Sequence, residues 1–464
     1  MAALEIWMNG EHVGTWTATR SGVPTFTYDA QWTRSPSVRA LSLSLPITAG
    51  NSEHRGDVVA HYFDNLLPDS ADIRKRLATR FKTRSTAAFD LLTAIGRDCV
   101  GAVQLLPEGM APQGWDRVQS EPLDDAQVEL ILADARSALP LGQRHDNDDN
   151  FRISIAGAQE KTALLRFGGR WRRPHGATPT THILKLPLGL VGNLRADLSD
   201  SVENEWLCVQ IVRELGLPVA NTEMARFGGQ QALVVERFDR RWQGTAPGAQ
   251  NKAGFSPRKG AWIARLPQED LCQATGTAPT LKYEADGGPS MQTCLDLLAG
   301  SEQPDGDRAR FVLTQLAFWL LAATDGHAKN FSLFHRRGGS FALTPLYDVI
   351  SAWPIIGKGP NLVPEHAAKL AMALHSKNTH YKLHEIRARH WMALAQRCGA
   401  EGVWHHMIAM ALDVDAAFAR VQALLPDDFP PRVWQAVQAG TAQHANQFLH
   451  EAAALPAANK PASK

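Results

Sequence analysis

Asp325, His327, Lys329 and Asn330 follow directly on the apolar run FVLTQLAFWLL, in the stretch AATDGHAKNF that covers residues 322–331. Charged and amide side chains this close behind a core-type element are costly unless they have partners, a cation or a task. A carboxylate can take the proton of an attacking hydroxyl, and an amide oxygen can ligate a hard cation. Downstream, LTPLYDVI places Asp348 just past a strand-like segment, 23 residues from Asp325, as a second oxygen ligand. A base and two oxygen ligands are the parts of cation-assisted phosphoryl transfer. A polar loop that only caps the preceding helix would use the same residue types. A zinc reading would use Asp325, His327 and His335, but it lacks a helical i, i+4 His pair or a thiolate set.

Asp325 and Asn330 stand five apart, the spacing of the protein-kinase catalytic loop, where the Asp takes the substrate proton and the Asn holds magnesium. An ATP site then needs three more parts upstream. ISIAGAQEKTALL offers a strand, a turn over 156–161 with Gly157, and a returning strand. It is neither GxGxxG nor a Walker A loop, and a plain hairpin has the same look. In THILKLP, Ile183, Lys185 and Pro187 share one face and Leu184 and Leu186 the other. Lys185 among apolar neighbours either meets a carboxylate or phosphate, or snorkels from an edge strand. ALVVERFD runs from a buried-type strand into charge, which makes Glu236, Arg237 and Phe238 the candidate hinge whose backbone groups bind adenine.

These parts need elements to hold them. The pattern of DSVENEWLCVQIVRELGLP predicts a helix capped by Asp200 or Ser201 and stopped by Gly216 and Pro218. Leu207, Cys208, Ile211, Val212 and Leu215 form its apolar arc, with Asn204 inside the arc and Glu203 and Glu205 beside it. Either glutamate could pair with Lys185. Residues 1 to about 110 open with strand-like alternation in LEIWMNGEHVGTW and ALSLSLP, then turn helical in SADIRKRLATRF and TAAFDLLTAIG. A connector follows, with one amphipathic helix over 124–138 and the polar octet QRHDNDDN as a loop or boundary. Strands FRISIA, KTALLRF, HILKLP and ALVVERF come next, and helices dominate after about 290, interrupted by GSFALTPLYDVI. A strand-rich region before a helix-rich one predicts two lobes with a cleft between them.

The composition narrows the class. At 464 residues, with 44% hydrophobic and 20% charged residues, the chain can build two or three ordinary globular cores. Its 48 basic and 47 acidic residues give a net charge of +1, which excludes nucleic-acid binding driven by the chain's own net charge. The basic clusters RWRRPH (170–175) and RFDRRW (237–242) read as solvated surface. Five scattered cysteines without a CxxC fit a reduced chain. No apolar run reaches the roughly 20 residues of a membrane span, and the start lacks a signal-peptide pattern, so a cytoplasmic location with no membrane partner is expected.

In this order, ISIAGAQEKTALL, HILKLP, ENEW, VVERFDRR, RLPQEDLCQATG, KYEADGGPS, DGHAKNFSL and PLYDVI resemble the HipA-type serine/threonine kinases of bacterial toxin–antitoxin systems. HYFDNLLPDSADIRKRL and FDLLTAIGRDCVGAVQLLP resemble the small domain that precedes their kinase. The resemblance implies an α+β, two-lobed protein-kinase-like fold with a small N-terminal α+β domain and a mostly helical C-terminal lobe. The domains would be 1–110, a connector 111–147, a kinase core 148–395 and a helical extension 396–464. It implies Asp325 as catalytic base, Asn330 and Asp348 as Mg2+ ligands, and Ser154 as a site of inactivating autophosphorylation. ATP would be lined by Ala156, Gly157, Ala158, Gln159, Glu160, Lys161, Lys185, Glu236, Arg237, Phe238, His327, Ala328, Lys329, Asn330, Tyr347 and Asp348. The implied partners are a small helix-turn-helix, HipB-like antitoxin, DNA mainly through that antitoxin, and a protein substrate such as an aminoacyl-tRNA synthetase. Two other functions compete: a catalytically silent co-repressor, and a kinase of lipids or small molecules.

Overall fold

The computed structural model describes residues 2–18, 22–135, 154, 156, 157, 159–192, 194–246, 255, 257, 258 and 260–455. The octet 143–150, most of the expected strand 151–156, Ala158 and the tail from 456 lie outside them. The chain divides into two compact units. The first comprises Met1–Pro187, Ala220–Lys282 and Phe331–Thr344, and the second Leu188–Val219, Tyr283–Asn330 and Pro345–Lys464. The α+β class expected from the sequence is the one observed.

In the first unit, an antiparallel five-stranded sheet runs in the order His54–Arg55, Pro24–Tyr28, Glu11–Ala18, Ala2–Met8, Gln104–Pro107. Its central hairpin turns at Asn9 and Gly10, both left-handed (φ 48° and 84°), as a two-residue hairpin requires. A Cβ on Gly10 would lie 2.2 Å from the Trp115 indole, so this position also needs glycine for space. Helices Asp57–Asp64, Ala71–Phe81 and Ala88–Ile95 accompany the sheet, and Trp16 stacks on Phe63 at 4.0 Å in the shared core. Ser70 caps the second of these helices by accepting from Ile73 N.

ALSLSLP is not the strand its alternation suggests; only an isolated bridge, Ser42 to Leu45, forms there. Its polar groups are drawn instead to a buried carboxylate. Ser42 Oγ and Leu43 N donate to Glu269 at 2.5 and 2.9 Å, and Ser44 Oγ donates to Gln273 O at 2.7 Å. A chain held through alternate hydroxyls has no free edge for a ladder.

A second, six-stranded sheet has the order Thr222–Phe227, Gln230–Glu236, His182–Lys185, Lys161–Phe167, Arg170–Pro174, Ser120–Pro122. The connector helix, Asp125–Ala135, packs Val128 and Leu132 against one face, with Leu164, Leu184, Leu186 and Val234. The period-2 reading of HILKLP therefore holds: both leucines enter this core, and Lys185 points to the other face.

In the second unit, helix Ser201–Glu214 begins at Asp200 and ends at left-handed Gly216 (φ 85°). Neither expected cap side chain bonds its own helix end. Asp200 pairs with Arg432 at 2.7 Å, and Ser201 Oγ accepts from Leu188 N at 2.9 Å. The apolar run that opened the sequence reading forms helix Pro304–Leu320, with Phe311, Leu316, Phe318, Trp319 and Leu320 buried. Helices Met291–Leu298, Ala388–Cys398, Val403–Leu412, Val414–Gln422 and Pro431–Ala453 fill out the unit. The sequence pattern missed a hairpin, Lys369–His375 with Thr379–Lys382. The five cysteines are free and buried, and among the described residues no helix is long and apolar enough to cross a membrane.

Candidate active site

Leu321 and left-handed Ala322 (φ 47°) end helix Pro304–Leu320 and turn the chain into the DGHAKN loop. Gly326 is required for space, since a Cβ there would lie 2.3 Å from the Phe318 ring. The loop closes on itself through the Asp325 carbonyl, which accepts from His327 N and Asn330 Nδ2, both at 2.8 Å. Asn330 N donates to His327 O at 2.9 Å. His327, Ala328, Lys329 and Asn330 are buried, whereas the Asp325 side chain is 62% exposed. Its Oδ1 accepts from the Tyr283 hydroxyl and lies 3.8 Å from His327 Nε2.

Tyr347 and Asp348 belong to the same unit. Tyr347 Oη donates to Lys329 O at 2.9 Å, tying their segment to the loop. Asp348 is left-handed (φ 63°), uncommon for a non-glycine residue and held by its surroundings. Leu346 N donates to Pro218 O at 2.9 Å. Asn204, buried in helix Ser201–Glu214, donates to Ser351 O at 2.8 Å and accepts from Ser351 N at 2.9 Å. Ser351 Oγ donates to Leu321 O at 2.5 Å, and Ala352 N to Ala322 O at 2.9 Å. The segment carrying Asp348 is thus stitched both to that helix and to the chain that leads into Asp325.

A hard cation fits this donor set. With Nδ2 given to Asp325 O, Asn330 offers its amide oxygen, and Asp348 supplies a carboxylate. Among the described residues no three His, Cys, Asp or Glu side chains could hold a metal by themselves. The zinc reading gains no support, because no such group forms among the described residues and His335 Nε2 is engaged 2.7 Å from buried Glu269.

The remaining candidates lie in the first unit. Gly157 (φ 110°) bridges to Pro68, and its carbonyl accepts from Asp69 N at 3.1 Å. Lys161 Nζ donates to Ala156 O at 2.5 Å and closes the turn, while Gln159 Nε2 donates to Leu186 O at 2.6 Å and Glu160 pairs with Arg76. Lys161 and Lys185 are direct cross-strand partners, so both side chains stand on the same sheet face. Ser154 is fully buried; Oγ donates to Leu66 O at 2.8 Å and its N donates to Asp98 O at 3.1 Å. At the expected hinge, Glu236 N and Arg237 N already donate to Asn221 O and Thr181 O, each at 2.9 Å. Phe238 packs edge-on to Phe334.

Arg237 turns its side chain inward, and here the solvated-surface reading of RFDRRW fails. Arg237, Asp239, Arg240, Asp98 and Arg265 form one buried ion network, with Arg237 to Asp239 at 2.8 Å and Arg240 to Asp98 at 2.9 Å. Burial opposes ionisation of Asp98, but Arg240, Arg237 and Arg265 outweigh it and hold the carboxyl well below the usual carboxylate range. Three guanidiniums face two carboxylates. Burial of the excess cation brings Arg265 down to about 10.

The HipA N-terminal domain family matches residues 4–106, and the HipA-like C-terminal domain family matches 153–423, more than half of the chain. The chain belongs to the HipA family. Y4mE of Sinorhizobium fredii, which carries kinase in its name, is 32% identical over 402 residues, covering 85% of this chain and 86% of that protein. The serine/threonine-protein kinase toxin HipA of Shewanella oneidensis is 26% identical over 346 residues, covering 72% and 70%. The Shewanella oneidensis HipA chain solved with HipB and operator DNA has the same fold, with a TM-score of 0.74 over 96% of this chain and 97% of that one at 23% identity. Tyr283, Asn204 and Ser351 are site neighbours that sequence reasoning on this HipA-family chain did not assign. Only Asn204 left a signal, as an amide inside an apolar arc.

Proposed function

We propose that this chain is an ATP- and Mg2+-dependent serine/threonine protein kinase and the toxin of a toxin–antitoxin pair. The observation that carries the reading is the interlocked loop and segment of the second unit: an exposed Asp325 carboxylate on a loop closed by Asn330 and tied to the Asp348 segment. In this reading Asp325 accepts the proton of a seryl or threonyl hydroxyl as its oxygen bonds to the γ-phosphorus. The bond from that phosphorus to the β-phosphate oxygen breaks, and ADP leaves with the electron pair. Asn330 and Asp348 would hold magnesium, which when bound neutralises phosphate charge. Lys161 and Lys185 would supply positive charge for phosphates, and the segment 236–238 would meet adenine with backbone groups other than the Glu236 and Arg237 N–H, which are already bonded.

The family relationship and the domain coverage support a HipB-like antitoxin as partner, with DNA reached mainly through it because the net charge of +1 gives little counterion release. An aminoacyl-tRNA synthetase is the proposed protein substrate, and Ser154 a self-modification site. Asp325→Asn tests the reading. Transfer from γ-labelled ATP should fall by about 10²–10⁴-fold with the melting temperature retained. More than half the wild-type rate would remove Asp325 from the chemistry.

A further inference from the structure

The Tyr283 hydroxyl donates to Oδ1 of Asp325, and the Tyr283 ring meets the buried His327 ring edge-on at 5.1 Å. His327 Nε2 lies 3.8 Å from that same oxygen. The Tyr283 backbone is anchored in turn. Neighbouring Glu284 accepts from Ala373 N at 2.7 Å and pairs with His375 Nε2 at 2.5 Å, on the strand Lys369–His375. All of these residues lie in the second unit. Asp325, by contrast, is mostly exposed, and among the described residues these are the contacts shown for its carboxylate. An exposed carboxylate samples several rotamers, and a base that must meet one proton loses rate with each wrong one.

We propose that Tyr283 is a positioning residue that clamps one oxygen of Asp325 and so presents the other to the incoming substrate hydroxyl. The proposal rests on Asp325 acting as the base. The clamp is a hydrogen bond on an anchored, ring-packed tyrosine. Removing the hydroxyl alone, in Tyr283→Phe, keeps the ring packing and releases the carboxylate. The opposite role is also testable: a hydroxyl sitting where the substrate's should dock would act as an inhibitory plug.

The experiment uses the full chain, γ-labelled ATP and myelin basic protein as a general acceptor, with wild type, Tyr283→Phe, Asp325→Asn and the double variant. Tyr283→Phe should lower kcat by about 10- to 10²-fold, the scale of a misplaced reacting group, with the KM for ATP and the melting temperature unchanged. In the Asp325→Asn background the same substitution should cost nothing further, because the hydroxyl acts only through Asp325. Full or increased kcat in Tyr283→Phe overturns the clamp, as does an equal loss in both backgrounds or a matching rise in KM with a fall in melting temperature. If Asp325→Asn itself transfers phosphate at the wild-type rate, the base assignment fails first and takes the clamp with it.

Discussion

In the first unit Asp98, Arg237, Asp239, Arg240 and Arg265 are buried and bonded to one another, whereas in the second the Asp325 carboxylate stands exposed on a backbone held by its neighbours. The two regions carry similar charged groups with opposite arrangements. Inside the network three guanidiniums share two carboxylates, so each ion has a neighbour of opposite sign, and Thr180, Cys99 O and Gly101 bond the same groups. Around Asp325 it is the backbone that is fixed, and one carboxylate oxygen has tyrosine and histidine beside it. Charge compensated in the interior fixes architecture. Charge left accessible on a fixed backbone can react.

The largest effect that would break this contrast belongs to Asp98. Asp98→Asn keeps the shape but leaves three guanidiniums facing one carboxylate, and removing one partner of a buried ion cluster costs about 3–5 kcal/mol. Chemical denaturation should read that loss directly. The pH dependence has a definite sign. The folded Asp98 and Asp239 carboxyls are held below their unfolded value near 3.9, so their stabilisation is full above about pH 4 and is lost as pH falls toward the folded values. The variant should therefore show a shallower acid destabilisation than wild type. A change below about 1 kcal/mol, or an unaltered acid slope, would mean that the network is not carrying the architecture.

An intermediate effect tests whether the second unit's backbone fixing matters for function. Asn204 holds Ser351 by both backbone groups, and Asp348 lies three residues before Ser351. Asn204→Ala should raise the Mg2+ concentration for half-maximal ATP binding by about 10-fold, as loss of an outer-shell partner does for other metals. Saturating Mg2+ should then restore binding, and Asn204→Asp, which keeps the acceptor for Ser351 N, should fall between. Calorimetry with ATP across a magnesium series separates the outcomes. A lowered melting temperature with an unshifted magnesium dependence would make Asn204 a core amide with no bearing on Asp348.

The sequence disclosed the short-range half of this contrast. DGHAKN closes within six residues, and HILKLP sorts its leucines and Lys185 by a period of two, so local spacing was enough. The ion network joins Asp98 to residues up to 167 positions away. No composition or spacing in RFDRRW distinguishes guanidiniums awaiting distant carboxylates from guanidiniums awaiting water. ALSLSLP misled for the same reason, since its hydroxyls answer to Glu269 across 227 positions. Asn204 lay between these extremes: an amide within an apolar arc demanded a partner, but nothing local named Ser351. Tyr283 gave no signal of its own, because its role depends on a hydroxyl meeting Asp325 across 42 positions.

The smallest direct effect concerns Ser154, where the two rules meet. Its hydroxyl is neutral, fully buried and bonded to Leu66 O, and its N–H bonds the carbonyl of Asp98, the network's central carboxylate residue. Ser154→Ala removes one net hydrogen bond, so unmodified protein should lose only about 0.5–1.5 kcal/mol of stability. Phosphorylation is another matter, adding about −1.5 to −2 charges at neutral pH. A buried pocket whose neighbour is the Leu66 carbonyl offers no cation to such a group, and burying an uncompensated charge is costly, so the modified segment must leave its place. Because Gly157, Gln159 and Lys161 complete the turn that Ser154 leads into, their bonds to Pro68, Leu186 and Ala156 should loosen with it. Mass spectrometry of protein expressed alone should then find phosphate on Ser154 only when Asp325 is intact. Limited proteolysis should cut near the turn in the modified form and not in Ser154→Ala, and ATP affinity should fall as occupancy rises. An active preparation with Ser154 unmodified, or a phosphorylated form that resists proteolysis and binds ATP unchanged, would leave Ser154 as a buried strut with no regulatory part.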